Sequence, residues 1–101
     1  MTKVSLQTKM GEYSKWVGRI GSDSRMMSTH VSLFTALFVC WQRGGFNSPF
    51  AVTRRKLMAH SRIASIATYH KCIRELDAFG YIHYKPSYHP KMGSLVYWPR
   101  E

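Results

Sequence analysis

Between Thr53 and Gly80 the chain carries two helix starts and one sustained helical period, and this stretch limits the fold more than any other. Thr53 and Ser65 are both hydroxyl residues suited to accept a backbone N–H at the start of a helix. The residues from Arg54 to about His60 spell a short helix with Leu57 and Met58 inward. A tight turn follows, Ser61-Arg62-Ile63-Ala64. After Ser65, the residues Tyr69, Cys72, Ile73 and Leu76 fall at i, i+3, i+4 and i+7. They form one apolar face of a helix that reaches Phe79 and stops at Gly80. Two helices joined by so short a turn bury little by themselves. The rest of the chain has to cover them.

Three other segments can do so. Ser28 is a further N-cap, and the helix after it runs to about Arg43, where Gly44-Gly45 ends it. Its residues Val31, Phe34, Leu37, Phe38 and Trp41 make a wide apolar stripe, which marks a core helix. Upstream, Met10, Tyr13, Trp16, Val17 and Ile20 share helical spacing, so 8–20 reads as an extra amphipathic helix closed by Gly21. Residues 1–7 show little periodicity and are expected to fray. Phe50-Ala51-Val52 fits a short edge strand, and two alternating runs, Tyr81 to Lys85 and Ser94 to Trp98, read as strands. The basic stretch Pro86 to Gly93 would join the last two as a hairpin loop. A chain of 101 residues with 45% apolar content supports one core and one domain, 1–101. The expected class is mainly α with a small β-hairpin (α+β).

The stretch from Thr53 to Gly80 resembles the helix-turn-helix of bacterial winged-helix regulators of the GntR and MarR kind. The likeness is carried by Leu57, by Ile63 in the turn, by Ser65 to Thr68, and by the Arg74-Glu75-Leu76 and Gly80-Tyr81-Ile82 runs. It implies a winged helix-turn-helix, in the order helix-helix-turn-helix-strand-wing-strand after the extra N-terminal helix. It also implies binding to double-stranded DNA. The motif Ala-Thr-Tyr-His-Lys-Cys-Ile-Arg-Glu-Leu and the wing Tyr-Lys-Pro-Ser-Tyr-His-Pro-Lys-Met-Gly-Ser are similar to small winged-helix proteins of Bacteroidetes genomes and their mobile elements. GntR-type regulators continue into a large effector domain after the wing. With no residue after Glu101, no ligand-sensing domain and no small-molecule effector are expected here.

Charge points the same way without the resemblance. Lys and Arg number 15 against five Asp and Glu, a formal net charge of +10. Such an excess attracts polyanions. From Phe50 to Arg74 the chain carries Arg54, Arg55, Lys56, Arg62, Lys71 and Arg74 and no acidic residue. With Tyr69, Cys72, Ile73 and Leu76 inward, the expected DNA contacts of the recognition helix are Ser65, whose helix start offers backbone N–H groups, and Ile66, Ala67, Thr68, His70, Lys71 and Arg74, which face base edges in a major groove. Thr68 and His70 can hydrogen-bond bases, whereas Ile66 and Ala67 can touch a thymine methyl. Arg54, Arg55, Lys56 and Arg62 are the expected phosphate contacts. Lys85, Tyr88, His89 and Lys91 are the expected contacts from the wing, with Tyr84 beside them. Tyr69 is read as core, and His30 and His60 as structural.

Other chemistry is poorly supported. The close acidic pair, Glu75 and Asp77, diverges on a helix, and no Ser or Cys has an evident base partner, so an enzyme is not expected. Cys40, His60, His70 and Cys72 lack metal-ligand spacing, so neither a metal nor another cofactor is expected. The longest apolar run, Val31 to Trp41, is too short to span a membrane. Cys40 and Cys72 read as free thiols of a cytoplasmic, nucleoid-associated protein. Two roles compete: a sequence-specific transcriptional regulator, and an accessory DNA-architecture factor of a mobile element, excisionase-like or assisting replication. A winged-helix protein–protein module ranks below both, because such modules lose the basic face. RNA ranks lower too, since A-form duplexes hide the groove a helix reads. A homodimer, or a recombinase or replication partner, would supply the specificity one small domain lacks. The 8–20 and 28–43 helices are the segments expected to pair in a homodimer.

Overall fold

The structure, a computed structural model, describes residues 3–87 and 93–99. In chain order the elements are α1 (Lys3–Ser22), α2 (Ser28–Arg43), β1 (Phe50–Val52), α3 (Arg54–Ser61), α4 (Ile66–Ala78), β2 (His83–Lys85) and β3 (Ser94–Tyr97). The class is mainly α with a small antiparallel sheet of order β1-β3-β2.

Helix α2 is the centre. Leu33, Phe34, Ala36, Leu37, Phe38 and Trp41 are all buried along it. Helix α3 packs on it through Leu57, and α4 through its Tyr69, Cys72, Ile73 and Leu76 face, all of them buried as the spacing requires. Helix α1 covers α2 from another direction. Tyr13 stacks on Phe38 with ring centroids 3.8 Å apart, Trp16 meets Tyr81 edge-on, and Ile20 is buried. This packing explains why α1 tolerates Gly11 and Gly18, each of which weakens a helix interior by about 1 kcal/mol. Helix α1 begins at Lys3 and not at residue 8, so it includes most of the stretch expected to fray, and it passes Gly21 to end at Ser22. Part of the apolar faces of α1 and α2 expected at a dimer interface packs within the chain's own core, while Tyr13, Trp16 and Val17 stay half-buried.

Helix α2 starts differently from expectation. Its N-cap is Met27, not Ser28. The Met27 amide donates to His30 Nδ1 at 2.9 Å, so the imidazole caps the helix from its third position. That leaves Nε2 to carry the hydrogen, and it meets Glu75 Oε1 at 3.0 Å. His30 is buried and structural, as expected, and ties the start of α2 to α4.

In the sheet, Phe50, Val96 and Tyr84 form one row across the three strands, and Ala51, Leu95 and Lys85 the next. The first row faces the core and the second faces away, by the two-residue period of strands. β1 is an edge strand, as its length and sequence suggested. β2 is shorter than the run Tyr81 to Lys85, because the Tyr81 and Ile82 amides both donate to the Leu76 carbonyl and still belong to the end of α4. β3 stops at Tyr97 because the Trp98 amide donates to Ser48 Oγ. Gly93 is required where the chain enters β3: its φ is +63°, and a Cβ there would lie 2.8 Å from the Val52 carbonyl oxygen.

A polar corner closes the α1–α2 loop. Arg25 pairs with Asp23 through two side-chain bonds (2.9 and 2.7 Å) and lies over the Phe79 ring, while the Tyr81 hydroxyl donates to Asp23 Oδ2 at 2.8 Å. Bonds from the Arg25 side chain and backbone, with Tyr81 behind them, hold the Asp23 carboxyl well below the usual aspartate range. Burial, then the bond to Asp23, pushes the Tyr81 phenol up.

Two outcomes follow from this packing. Leu76→Ala should cost about 2–5 kcal/mol in urea unfolding, while Lys71→Ala and Arg74→Ala should each stay within about 0.5 kcal/mol; charge variants that lose more than Leu76→Ala would reverse the assigned faces of α4. Because Asp23 is depressed in the folded state, its contribution is present above the unfolded value of about 3.9 and is lost as pH falls below it. Thermal melts of Asp23→Asn should therefore lie below wild type at pH 6 and converge with it in strong acid.

Candidate nucleic-acid interface

The turn between α3 and α4 is built from inside. Thr53 Oγ1 accepts the Lys56 amide at 3.2 Å and Ser65 Oγ accepts the Thr68 amide at 3.2 Å, so both predicted caps are in place. Between them Arg62 adopts a left-handed backbone, φ 63°, which costs a non-glycine residue about 1–2 kcal/mol. Buried Ser61 offsets this. Its hydroxyl donates to the Met58 carbonyl and accepts the Ile63 amide, and its carbonyl accepts the Ser32 hydroxyl of α2. Ile63 is buried, which anchors the turn to the core.

With that frame fixed, the outward positions of α4 are set. Ser65, Ile66, Ala67, His70, Lys71 and Arg74 are exposed, and Thr68 is half-buried at the helix start. The two acids of α4 are drawn back: Glu75 toward His30, and Asp77 half-buried. Arg54, Arg55, Lys56 and Arg62 are exposed as well. They do not all gather at one point. Arg54 stands near enough to Tyr69 for its charge to act on that phenol. Arg62 lines a cleft with Ser65 and Thr68. Lys56 is near enough to Cys40 for its charge to act there: burial pushes that thiol up, and Lys56 and Arg43 partly oppose the rise.

The cleft at Arg62 contains residues that the sequence did not single out. Ser28, Thr29 and Ser32 of α2 line it together with Ser61, Arg62, Ser65 and Thr68. The first turns of α2 and α4 thus meet beside one guanidinium, and helix starts offer amides without intrahelical acceptors. Hydroxyls, such amides and a cation suit an anionic oxygen. No local signal could have found this, because Ser28 and Ser65 are brought together only by the packing of α2 on α4.

Tyr69 is core, as expected, and has a further part. Burial pushes its phenol up, and the neighbouring Tyr84 hydroxyl, to which it is hydrogen-bonded, adds to the shift. Tyr84 in turn donates to Ser94 Oγ at 3.1 Å, and the Ser87 amide donates to the same oxygen. Tyr84 was expected beside the wing contacts. Its ring instead packs half-buried against the core and its hydroxyl is held within the sheet. Lys85 is exposed on the outer row of the sheet. Tyr88, His89 and Lys91 lie outside the described residues. His60 is exposed, and no group of His, Cys, Asp or Glu suited to a metal ion occurs among the described residues.

A separate cavity of about 430 Å³ opens between α1, α2 and Trp98. Tyr13, Trp16, Phe38 and Trp41 line it, with Glu12 and Lys15, and it shares no lining residue with the basic helices. It offers aromatic rings for packing. No helix among the described residues is long and apolar enough to cross a membrane. Comparison with protein-family models, with curated proteins and with solved structures finds no match.

The placement of α4 depends on His30. His30→Ala leaves the Met27 amide and the Glu75 carboxylate without their partner, at an expected cost of about 1–3 kcal/mol. Amide hydrogen exchange should quicken at the start of α2 and near Glu75 before it does in the sheet; unchanged exchange at both places would show that the imidazole does not fasten them.

Proposed function

We propose that this protein is a winged helix-turn-helix that binds double-stranded DNA, with α4 as the recognition helix. In this reading α3, the turn and α4 are the helix-turn-helix, and β2 and β3 flank the wing. The observation that carries it is the acid-free exposed surface of α3, the turn and α4. Six cations, Arg54, Arg55, Lys56, Arg62, Lys71 and Arg74, stand exposed there, while Glu75 meets His30 and Asp77 is half-buried. A solvated face of an ordinary domain would mix both signs. Phosphates are the counter-charge that such a surface lacks.

The roles follow from position. Ile66, Ala67, Thr68, His70, Lys71 and Arg74 meet base edges, since the first turns of a recognition helix enter the major groove. Arg54, Arg55 and Arg62 take phosphates, and the hydroxyl cleft of Ser28, Thr29, Ser65 and Thr68 seats a phosphate oxygen beside Arg62. Lys85 extends the contact from the sheet. The biological role that fits is a small transcriptional regulator acting in the cytoplasm, as a homodimer or with a partner. The dimer would use surface beyond the inner faces of α1 and α2, which the core already occupies.

The test is a titration of labelled random duplex DNA at about 50 and 200 mM salt. Affinity should fall by about a thousandfold between the two if six phosphates are contacted. The variant Arg54→Ala/Arg55→Ala/Lys71→Ala should bind more weakly and with a shallower salt slope. Absence of binding at 50 mM, or equal binding by the variant, would refute the reading.

A further inference from the structure

Ile66 is the first residue of α4. Half of its surface, 49%, is open to solvent. Within residues 11–87 and 93–99 only Met27 joins it as an exposed large apolar side chain. A branched aliphatic residue at the first turn gains little helix propensity and here gains little packing. The next residue, Ala67, is also exposed and offers only a methyl group. The polar side chain just before it is already engaged, because Ser65 Oγ accepts the Thr68 amide. The leading end of α4 is therefore an apolar spot, while exposed Arg62 precedes it in the turn and exposed Lys71 and Arg74 follow it along the helix.

We propose that Ile66, with Ala67 beside it, reads the C5-methyl group of thymine, and that it is the specificity-determining residue of the site. The inference rests on the DNA-binding reading above. An occupant of this spot has to satisfy the cations with negative charge and the isoleucine with apolar surface a short distance away. The duplex major groove offers both, and thymine methyl is the apolar group on its base edges. The cations hold the helix against the phosphates without regard to sequence, and burial of Ile66 against a methyl distinguishes thymine from cytosine.

Replacing thymine by deoxyuridine tests this, because it removes that methyl and leaves base pairing and charge unchanged. A fluorescein-labelled duplex carrying the site selected from a random pool is compared with the same duplex in which deoxyuridine replaces every thymine. Wild type should bind the deoxyuridine duplex about three- to tenfold more weakly, the worth of one or two buried methyl groups. Ile66→Ala keeps a strong helix former at an exposed position, so it should fold. It should bind both duplexes equally, at about the level of wild type on deoxyuridine. Lys71→Ala should lose affinity for both by the same factor. Equal binding of the two duplexes by wild type overturns the proposal and leaves DNA binding standing. So does discrimination that survives in Ile66→Ala, or a selected site without thymine. Failure of wild type to bind any duplex overturns both.

Discussion

Most of this molecule packs against α2 or against an element that does. That helix is apolar on nearly all sides, with Leu33, Phe34, Leu37, Phe38 and Trp41 buried along its length. No single neighbour can cover so wide a stripe. Helix α1 takes the side of Phe38 with stacked rings, α3 and α4 take the side nearest Leu57 and Leu76, and the sheet closes the remainder through Phe50 and Val96. The energetic weight lies here. Each large side chain buried in this core stabilises the fold by about 1.5–3 kcal/mol, whereas the exposed charges contribute little.

That division leaves the charges with one place to go. Once α3 and α4 have turned Leu57, Tyr69, Cys72, Ile73 and Leu76 inward, their Arg and Lys residues can only face out. Two of the five acids serve elsewhere: Asp23 binds Arg25 and Tyr81, and Glu75 binds His30. The result is a cationic surface that works against the compact state by self-repulsion. Core packing outweighs that repulsion, and an anionic partner would relieve it.

Much of this was legible in the sequence, for identifiable reasons. The caps at Thr53 and Ser65 act within three residues, so both ends of the turn were readable, as was the face shared by Tyr69, Cys72, Ile73 and Leu76. What was not legible depends on distant partners. Ser28 looked like the cap of α2, but the N-cap is Met27, whose amide donates to the imidazole of His30, itself held by Glu75 45 residues further along the chain. Tyr81 and Ile82 looked like strand, yet their amides remain with Leu76. Tyr84 looked free to reach outward, and its hydroxyl instead joins Tyr69 to Ser94. The cleft beside Arg62 needs Ser28 and Ser65 to meet across the core, which no periodicity announces.

The line of hydroxyls through Tyr69, Tyr84 and Ser94 has a mechanical consequence. It runs from α4 to β2 and on to β3, with the Ser87 amide fastened at its far end. Helix α4, β2 and β3 are cross-braced and should tilt as one body. Whatever docks across the helix and these two strands meets elements already held together, so little of their freedom is left to lose on association. The same bracing limits adaptation: a partner whose contour does not match cannot be accommodated by swinging β2 and β3 independently of α4.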